Sequence, residues 1–351
     1  SLLLCLAAIF NGYPLSYFDT GAYLRVGFRL IPGADRFLGY GLFLRFATLG
    51  WTLWTVIFFQ ALIIELLLFR TERRIFPGRS LHLFHFLTIA VLTFGSGAGW
   101  YISTPMPDVF TAGVILAVFL IVVRDDRCFY RMGVLSIVLC FFEISHFTHI
   151  LLGFFLSAVL ASVFALTASY RSYFSRTLPA LLMPIIVIAA LMTHNYIRGN
   201  GFTPSLSSNV FFVARLCETP ILKQYLEDNS DRNEISLVEF RDHLPETITE
   251  FLWRTHSPFR RVYGWEGPTE SFRRANQEYG IVVREILSNP RYLIPLLEIN
   301  VGATVRQLAR IRIVEPARSY GRDQTLYKAV NDYFPQESET LLRSRQNRER
   351  R

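Results

Sequence analysis

The sequence has little charge for its length. Only 18% of its 351 residues are charged, whereas 51% are hydrophobic and the mean hydropathy is +0.30. This composition excludes a disordered chain and is untypical of an ordinary soluble domain. Lysine is almost absent, since only Lys223 and Lys328 accompany 34 arginines. The net charge of +8 divides into +5 over residues 1–197 and +3 over residues 198–351, so no basic patch is concentrated enough to predict nucleic-acid binding.

Several sequence signals of common enzyme classes are also missing. The four cysteines have neither metal-ligand spacing nor the pattern of a disulfide framework. The chain contains no glycine-rich phosphate loop, no Ser/His/Asp order and no Cys/His pairing. Nucleotide-binding folds and the usual nucleophilic hydrolases are therefore not expected.

Long apolar runs are present, and they lie in the first half of the chain. Residues 1–197 contain eight acidic residues, whereas residues 198–351 contain 20. A helix needs about 20 apolar residues to cross the hydrocarbon core of a bilayer. The sequence therefore predicts an all-α polytopic membrane protein, with a transmembrane domain over 1–197 and a mainly helical extracytoplasmic segment over 198–351. About seven spans are predicted, at residues 1–10, 46–69, 81–100, 109–123, 132–142, 150–168 and 178–196.

Arginine placement predicts the orientation of these spans. Arginines cluster in 70–79, 124–131 and 171–176, whereas the alternate short loops 101–107 and 143–149 have neither Arg nor Lys. The positive-inside rule therefore places the arginine-rich loops in the cytoplasm and residues 198–351 outside. The large first outer loop, 11–45, departs from this rule because it contains Arg25, Arg29, Arg36 and Arg45. We expect at least one of its arginines to contact an anionic group, either a lipid phosphate or a neighbouring aspartate.

The polar half shows weaker patterns. Residues 241–253 and 268–287 are expected to be helices, and 290–313 is an amphipathic helix that either packs as core or lies on the membrane surface. The basic end, 343–351, is expected to be flexible. In the third predicted span, the alternating glycines of 95–99 predict close contact with another helix.

Four carboxylates fall at the predicted outer boundary of the membrane, namely Asp19, Asp35, Asp108 and Glu143. Ionisable groups at this depth are costly and often functional, so a shared site is one interpretation. Helix-start chemistry is the alternative for two of them: Asp19 as an N-cap, and Asp108 as the acid after a proline at a helix start. Predicted at the same level are Arg25, Arg29, Arg36, His146, His149 and His194. Arg198, at the opening of the extracytoplasmic segment, is a separate candidate for contact with a lipid phosphate.

Glu143, His146 and His149 repeat every three residues. Imidazole and carboxylate suit zinc or manganese, but three ligands at this spacing form no known signature, so a divalent metal is possible without being supported by a motif. Substrate or phosphate binding and ordinary interfacial packing remain the other interpretations.

The layout resembles the GT-C superfamily of membrane glycosyltransferases. The matching features are the loop 11–45 with Phe18-Asp19-Thr20, the seven predicted spans and the large segment 198–351. Short stretches at 11–20, 35–40 and 106–108 also resemble an uncharacterised bacterial membrane-protein family. The resemblance implies an enzyme of the bacterial inner membrane that transfers a sugar from a polyprenyl-phosphate donor on the outer face.

In this interpretation Asp19 matches the acid that acts as base or positions the acceptor, with Asp108 as a second catalytic candidate. Arg25, Arg36, Glu143, His146, His149 and Arg198 are the candidates for substrate binding. The chain departs from the family because Asp19 has no acidic neighbour, which leaves the base role and any metal open. The partners would be membrane lipids, the lipid-linked donor and other membrane proteins. Two other function classes stay open: a non-enzymatic accessory subunit, for which we expect a filled, flat outer surface, and a lipid or solute transporter, for which we expect broken helices.

Overall fold

Helices account for all the regular secondary structure in the residues that the structure describes. The structure is a computed structural model that describes residues 1–78, 80–123, 129–264, 268–309 and 320–348. The chain forms two compact units, one from Ser1–Ala190 with Arg312–Arg351, and one from Leu191–Ile311. The all-α class is therefore confirmed for the described part of the chain.

The first unit contains ten helices before the chain enters the second. They are α1 (Leu6–Asn11), α2 (Phe18–Arg29), α3 (Leu38–Ala47), α4 (Trp54–Ile75), α5 (Leu81–Gly95), α6 (Ala98–Ile102), α7 (Phe110–Val122), α8 (Phe129–Ser145), α9 (Phe147–Leu166) and α10 (Arg171–Ile197). Short 3-10 turns at Leu3–Cys5, Pro107–Val109 and Ala168–Tyr170 precede α1, α7 and α10.

Three of these helices are long and apolar enough to cross a membrane. They are α4, α9 and the continuous stretch Ala168–Ile197 that includes α10. They correspond to the second, sixth and seventh predicted spans. The remaining predicted spans are shorter or interrupted helices, so seven complete spans are not confirmed.

Two interruptions explain part of the difference. The second span was expected to begin at Phe46, but Leu49 and Gly50 adopt positive φ values of 52° and 69°, which end the helical path before α4. In the third span, Ser96 is extended (φ −144°, ψ 175°) and separates α5 from α6. The glycines of 95–99, which were expected to permit close helix contact, lie at this break.

Close approach of backbones occurs instead between α2 and α3. A Cβ atom on Gly27 would lie 2.6 Å from the carbonyl carbon of Gly41, and one on Gly41 would lie 2.7 Å from the Gly27 nitrogen. Gly39 approaches the backbone of Ile144 at the end of α8 in the same way, with the carbonyl carbon 2.7 Å from its ideal Cβ. Glycine at these positions is what lets three helices meet at the start of α3.

The central helix of the first unit is α7. Its side chains Phe110, Val114, Ala117, Val118 and Ile121 are completely buried. They pack among α4, α8 and α9. Because α7 is apolar on all sides, its hydrophobic pattern is that of a helix enclosed by other helices or lipid.

The C-terminal segment returns to the first unit through α17 (Thr325–Tyr333), α18 (Pro335–Arg343) and α19 (Arg345–Arg348). The compositional boundary at 197/198 therefore does not coincide with the compact units. The backbone of Leu326 lies against Gly21 of α2, and the buried Glu337 accepts hydrogen bonds from the Tyr13 hydroxyl (2.8 Å) and the Leu53 amide (3.3 Å). Flexibility was expected from residue 343 onward. In the structure Arg345–Arg348 form the helix α19, and residues 349–351 lie outside the described residues.

The second unit contains α11 (Ser208–Leu216), α12 (Pro220–Asp228), α13 (Ile248–Trp253), α14 (Pro258–Tyr263), α15 (Pro268–Ser288) and α16 (Pro290–Ala309). The predicted helices at 268–287 and 290–313 correspond to α15 and α16, with residues after 309 outside the description. The predicted helix 241–253 is wrong as a single element. A 3-10 helix, Ser236–His243, ends before Leu244, which is extended (ψ 138°) because Pro245 follows it.

Helix α15 holds this unit together through the buried side chains of Phe272, Tyr279 and Ile286. At its end, Glu285 accepts hydrogen bonds from the Tyr225 hydroxyl (2.5 Å) and the Arg232 guanidinium (2.7 Å). Burial opposes the ionisation of Glu285, but these two bonds outweigh it and lower the pKa of the carboxyl below its usual 4.5.

Candidate functional site

A cavity of about 410 Å³ opens in the first unit, and it contains three of the predicted site residues. Asp19, Asp108 and His146 reach it from α2, from the turn before α7 and from the junction of α8 and α9. Aromatic side chains form much of the remaining wall, namely Phe10, Tyr17, Tyr23, Trp100 and Tyr101. Three separate parts of the sequence therefore bring ionisable groups to one largely apolar cavity.

Asp19 lies in the first turn of α2 without capping it. The N-cap residue is Tyr17, whose backbone amide donates to the Thr20 hydroxyl (3.3 Å). The Asp19 carboxylate instead forms an ion pair with Arg36, and its side chain remains 39% exposed. Its place near the positive end of α2 is also favourable for a carboxylate. Hence the capping interpretation does not describe the contacts of Asp19.

Arg36 joins two carboxylates. Its guanidinium pairs with both Asp19 and Asp35, and it lies over the Tyr23 ring at 5.7 Å from the centroid. For the arginines of the first loop, the sequence predicted contact with either a lipid phosphate or a neighbouring aspartate. Arg36 contacts neighbouring aspartates. Burial raises the pKa of the Tyr23 phenol, which keeps this wall of the cavity as a hydroxyl.

Asp108 differs from Asp19 in its surroundings. It lies in the 3-10 turn Pro107–Val109, which leads directly into α7, and its side chain is exposed. Within the described residues no ion pair to Asp108 is formed. Of the two carboxylates in the cavity lining, Asp108 is therefore the one without an ion pair among the described residues.

His146 is the single non-helical residue between α8 and α9, and it is the N-cap of α9. Its Nδ1 accepts from the Thr148 amide (3.4 Å) and lies 2.7 Å from the Thr148 hydroxyl. Burial lowers the pKa of His146 below its usual 6.5, although Asp108 and Asp19 act in the opposite direction. The ring is therefore neutral at pH 7. With Nδ1 as acceptor, its proton lies on Nε2, which makes that atom a hydrogen-bond donor.

Glu143 and His149 are close to His146 in sequence but lie outside the cavity lining. His149 is buried, with Nδ1 2.9 Å from the Phe142 carbonyl oxygen and Nε2 3.0 Å from the Thr111 hydroxyl. These two bonds explain the residue as part of the packing of α7, α8 and α9. Glu143 is completely buried against Gly153, and both of its carboxyl oxygens are without a hydrogen-bond partner among the described residues.

Arg25 and Arg198 also lie elsewhere. Arg25 is half-buried on α2, and its Nε is buried with no partner among the residues described. Arg198 is exposed and belongs to the second unit. Among the described residues, no three of the His, Cys, Asp and Glu side chains are arranged to hold a metal ion, so the structure provides no ligand set from Glu143, His146 and His149.

The C-terminal segment supplies two cavity residues that the sequence did not predict, Arg345 and Gln346. The Arg345 guanidinium stacks on the Phe10 ring, 4.0 Å from its centroid. Gln346 fixes this segment to the first loop, because its side chain accepts from the Ser16 amide (3.1 Å) and donates to the Ser16 carbonyl (2.8 Å), while its backbone amide donates to Asn11 (2.8 Å). Arg345 thus brings a cation to a cavity that already contains two carboxylates.

A weak signal for this arrangement is present in the sequence. Leu326, Ala329, Val330 and Leu341 recur at helical spacing and are buried. That spacing predicts packed helices, but it does not identify the surface they pack on. Trp100 and Tyr101 were also not predicted as cavity residues. The sequence placed them at and just after the end of a continuous third span, whereas in the structure they lie on the separate short helix α6.

The chain was compared with protein-family models, curated proteins and solved structures. No family model, curated protein or solved structure matches the chain. The cavity combines one paired carboxylate, one unpaired carboxylate, a neutral imidazole and a guanidinium within aromatic walls. This set can accept a proton, orient hydroxyl groups and bind an anion.

Proposed function

We propose that the protein is an integral membrane glycosyltransferase that transfers a sugar from a polyprenyl-phosphate donor at the outer face of the bacterial inner membrane. The observation that carries the proposal is the cavity shared by Asp19, Asp108 and His146. Its supports are the three helices capable of crossing a membrane and the arginine-rich loops 70–79, 124–131 and 171–176. A cytoplasmic position for these loops favours an extracytoplasmic position for residues 11–45, although that loop itself contains arginines.

The walls of the cavity suit a lipid-linked substrate. Phe10, Tyr17 and Tyr101 line it and are also exposed, with 65%, 45% and 52% of their surfaces accessible. Aromatic side chains that are both apolar and partly polar are enriched where membrane and water meet. A polyprenyl chain would lie along such a rim while its phosphate and sugar enter the cavity.

The charged groups divide the proposed chemistry among them. Asp108 accepts the proton of the acceptor hydroxyl as that oxygen forms a bond to the anomeric carbon of the donor sugar. The bond between the anomeric carbon and the phosphate oxygen breaks, and its electron pair leaves with the polyprenyl phosphate. General-base assistance of this kind contributes roughly 10²–10⁴-fold to rate.

The other three groups bind and orient in this proposal. Asp19, held by Arg36, accepts a hydrogen bond from a hydroxyl of the acceptor or sugar, and the Nε2–H of His146 donates one. Arg345 is the cavity's cation for the donor phosphate, since a guanidinium offers a planar fork of donors to phosphate oxygens.

The test compares three isosteric substitutions. Asp108→Asn and Asp19→Asn remove a cavity carboxylate, whereas Asp35→Asn removes the other partner of Arg36, which is not part of the cavity lining. Each variant is expressed in membranes, its thermal stability is measured, and the glycolipids and glycans of the cells are profiled by mass spectrometry.

We expect both cavity variants to lose a product while Asp35→Asn keeps it, at similar expression and stability. Asp108→Asn should have the larger effect, because it removes the proposed base. Unchanged products in both cavity variants would overturn the proposal. A loss that follows protein abundance across all three variants would assign these residues a structural role.

One observation favours a second candidate, a transporter of a lipid or solute. Broken helices are typical of transport sites, and the break at Ser96 separates α5 from α6, which supplies Trp100 and Tyr101 to the cavity. A reconstituted protein that moves a fluorescent polyprenyl-phosphate lipid across vesicles without forming any glycosylated product would favour this candidate. The accessory-subunit interpretation expected a filled outer surface, and the cavity does not favour it.

A further inference from the structure

Helix α16 of the second unit has two apolar faces. On one, Tyr292 and Leu296 are buried against the unit, where the Tyr292 ring meets Tyr225 with centroids 5.6 Å apart and its hydroxyl donates to Asp228 (2.8 Å). On the other face, four apolar side chains are each more than half exposed: Ile294 at 56%, Leu297 at 54%, Val301 at 63% and Val305 at 60%.

The exposed residues form one continuous stripe. At 3.6 residues per turn, the spacing of 294, 297, 301 and 305 keeps them on one side of the helix, roughly opposite Tyr292 and Leu296. The stripe therefore is not the edge of the core that holds α16 in place. It extends about 17 Å along the helix, and soluble surfaces seldom expose apolar patches of this kind without a partner.

We infer that this stripe lies in the interfacial layer of a lipid bilayer, with α16 parallel to the membrane surface. The charge of the helix suits that occupant, because Arg306 lies beside the stripe and Glu298 is the only acid in Pro290–Ala309. Arg291, near the start of the helix, pairs with Asp228 (3.1 Å) and keeps 59% of its side chain exposed. Arg310 and Arg312 follow in the sequence. Amphipathic helices with a basic polar face bind surfaces that contain anionic lipids.

The second unit is also held at a membrane by its own first residues. It begins at Leu191, within the stretch Ala168–Ile197 that is long and apolar enough to cross. At the end of that stretch Tyr196 and Phe202 are 66% and 67% exposed, as expected for aromatic residues at a membrane–water interface. The apolar phase nearest to this unit is therefore the bilayer. Surface placement rather than crossing follows from the three charged residues of α16.

The test measures the depth of single sites in the full-length protein. Cysteines are introduced at Leu297 or Val301 of the stripe, and at Gln307 as the matched control, after replacement of the four native cysteines by serine. Gln307 is exposed but lies away from the stripe, on the side of the helix that carries Leu296. Each site carries a nitroxide label in proteoliposomes of phosphatidylcholine with phosphatidylglycerol. Collision rates with oxygen, which concentrates in lipid, are compared with those for a water-soluble nickel chelate.

We expect a several-fold higher oxygen-to-nickel ratio at 297 and 301 than at 307. All three substitutions are at exposed positions, so folding should be retained, and monodisperse purified protein is the check. Low ratios at all three sites would place the stripe in water and overturn the inference. Poor access of both reagents to 297 and 301 would mean that protein covers it, with spin–spin broadening revealing a second copy. High ratios at all three sites would mean that α16 crosses the bilayer, which also overturns it.

Discussion

Gly27→Ala should separate α2, which carries Asp19, from α3, which begins two residues after Arg36. Gly27 lies in α2, nine residues before Arg36 and eight after Asp19, and it faces Gly41 of α3. The added methyl group would lie 2.6 Å from the carbonyl carbon of Gly41 and 3.1 Å from its Cα. Both atoms are backbone, so no side-chain rotation can relieve the contact.

The size of the effect follows from this geometry. An ordinary contact at a Cβ is 3.4–4 Å, so α2 and α3 must move apart by roughly 1 Å to accommodate the methyl group. A gap of 0.5–1 Å already removes about a quarter to a half of the dispersion energy of the facing atoms. Overpacking typically costs about 1–3 kcal/mol, and a rigid backbone on both sides places Gly27→Ala near about 3 kcal/mol. That corresponds to an apparent melting temperature roughly 6–12 °C lower.

The matched control is Gly133→Ala in α8, where a Cβ would have no heavy atom within 4 Å. That change should stabilise the helix by up to about 1 kcal/mol, because alanine has the higher helix propensity. Thermal unfolding of the purified protein in detergent, followed by tryptophan fluorescence, measures both. A Gly27→Ala protein that melts at or above the wild-type temperature would refute the described contact between α2 and α3.

Three further predictions concern the C-terminal segment, pH and orientation. Glu337→Ala removes several hydrogen bonds to a buried carboxylate, each contributing about 1.5–3 kcal/mol. It should therefore speed tryptic cleavage of residues 320–348, whereas Tyr13→Phe, which removes one of these bonds, should speed it only slightly. Equal cleavage rates in the two variants would contradict the described docking of this segment. Because the pKa of Glu285 is lowered in the folded protein, the stabilising contribution of its carboxylate is present above pH 4.5 and is lost as the pH falls further. Hydrogen exchange of α15 should therefore accelerate at acidic pH, and it should accelerate less in Glu285→Gln. An equal acceleration in the variant and the wild type would contradict this role of Glu285. A cysteine at Ser172 should be labelled only from the cytoplasm and one at Lys223 only from outside; the reverse pattern would overturn the topology.

The long apolar elements of this fold could be predicted from the sequence because their signal is local. Helices α4, α9 and α10 coincide with continuous apolar runs, and α16 coincides with a helical period. The breaks could not be predicted in the same way. Leu49 adopts a positive φ although it is a β-unbranched apolar residue inside an apolar run, and Ser96 is extended within another. Both residues are exposed and adjoin glycines, which have low helix propensity, so the breaks depend on short local features within otherwise apolar runs.

The cavity residues also divide into those that a local sequence signal predicts and those that it does not. Asp19, Asp108 and His146 were expected at one membrane depth, since each lies on a predicted outer loop or at its boundary, and all three line the cavity. Depth does not specify rotation about the helix axis, which is why Glu143, one turn before His146, points into the packing against Gly153. Arg345 lies more than 300 residues away in sequence from Asp19, and no local pattern connects the two.

The charges of the cavity constrain how an anionic donor would bind there. Asp19 and Asp35 share one cation, Arg36, so that group carries a net negative charge, and Asp108 adds another. A phosphate placed among these carboxylates would be repelled, because like charges at short range in a cavity with apolar walls are poorly screened. Arg345, stacked on Phe10, is the one described cation of the lining without a carboxylate partner. In the proposed reaction the phosphate therefore binds at Arg345, and the sugar extends toward Asp108 and His146. A direct displacement in this cavity requires the acceptor hydroxyl to approach the anomeric carbon opposite the leaving phosphate, with Asp108 beside that hydroxyl.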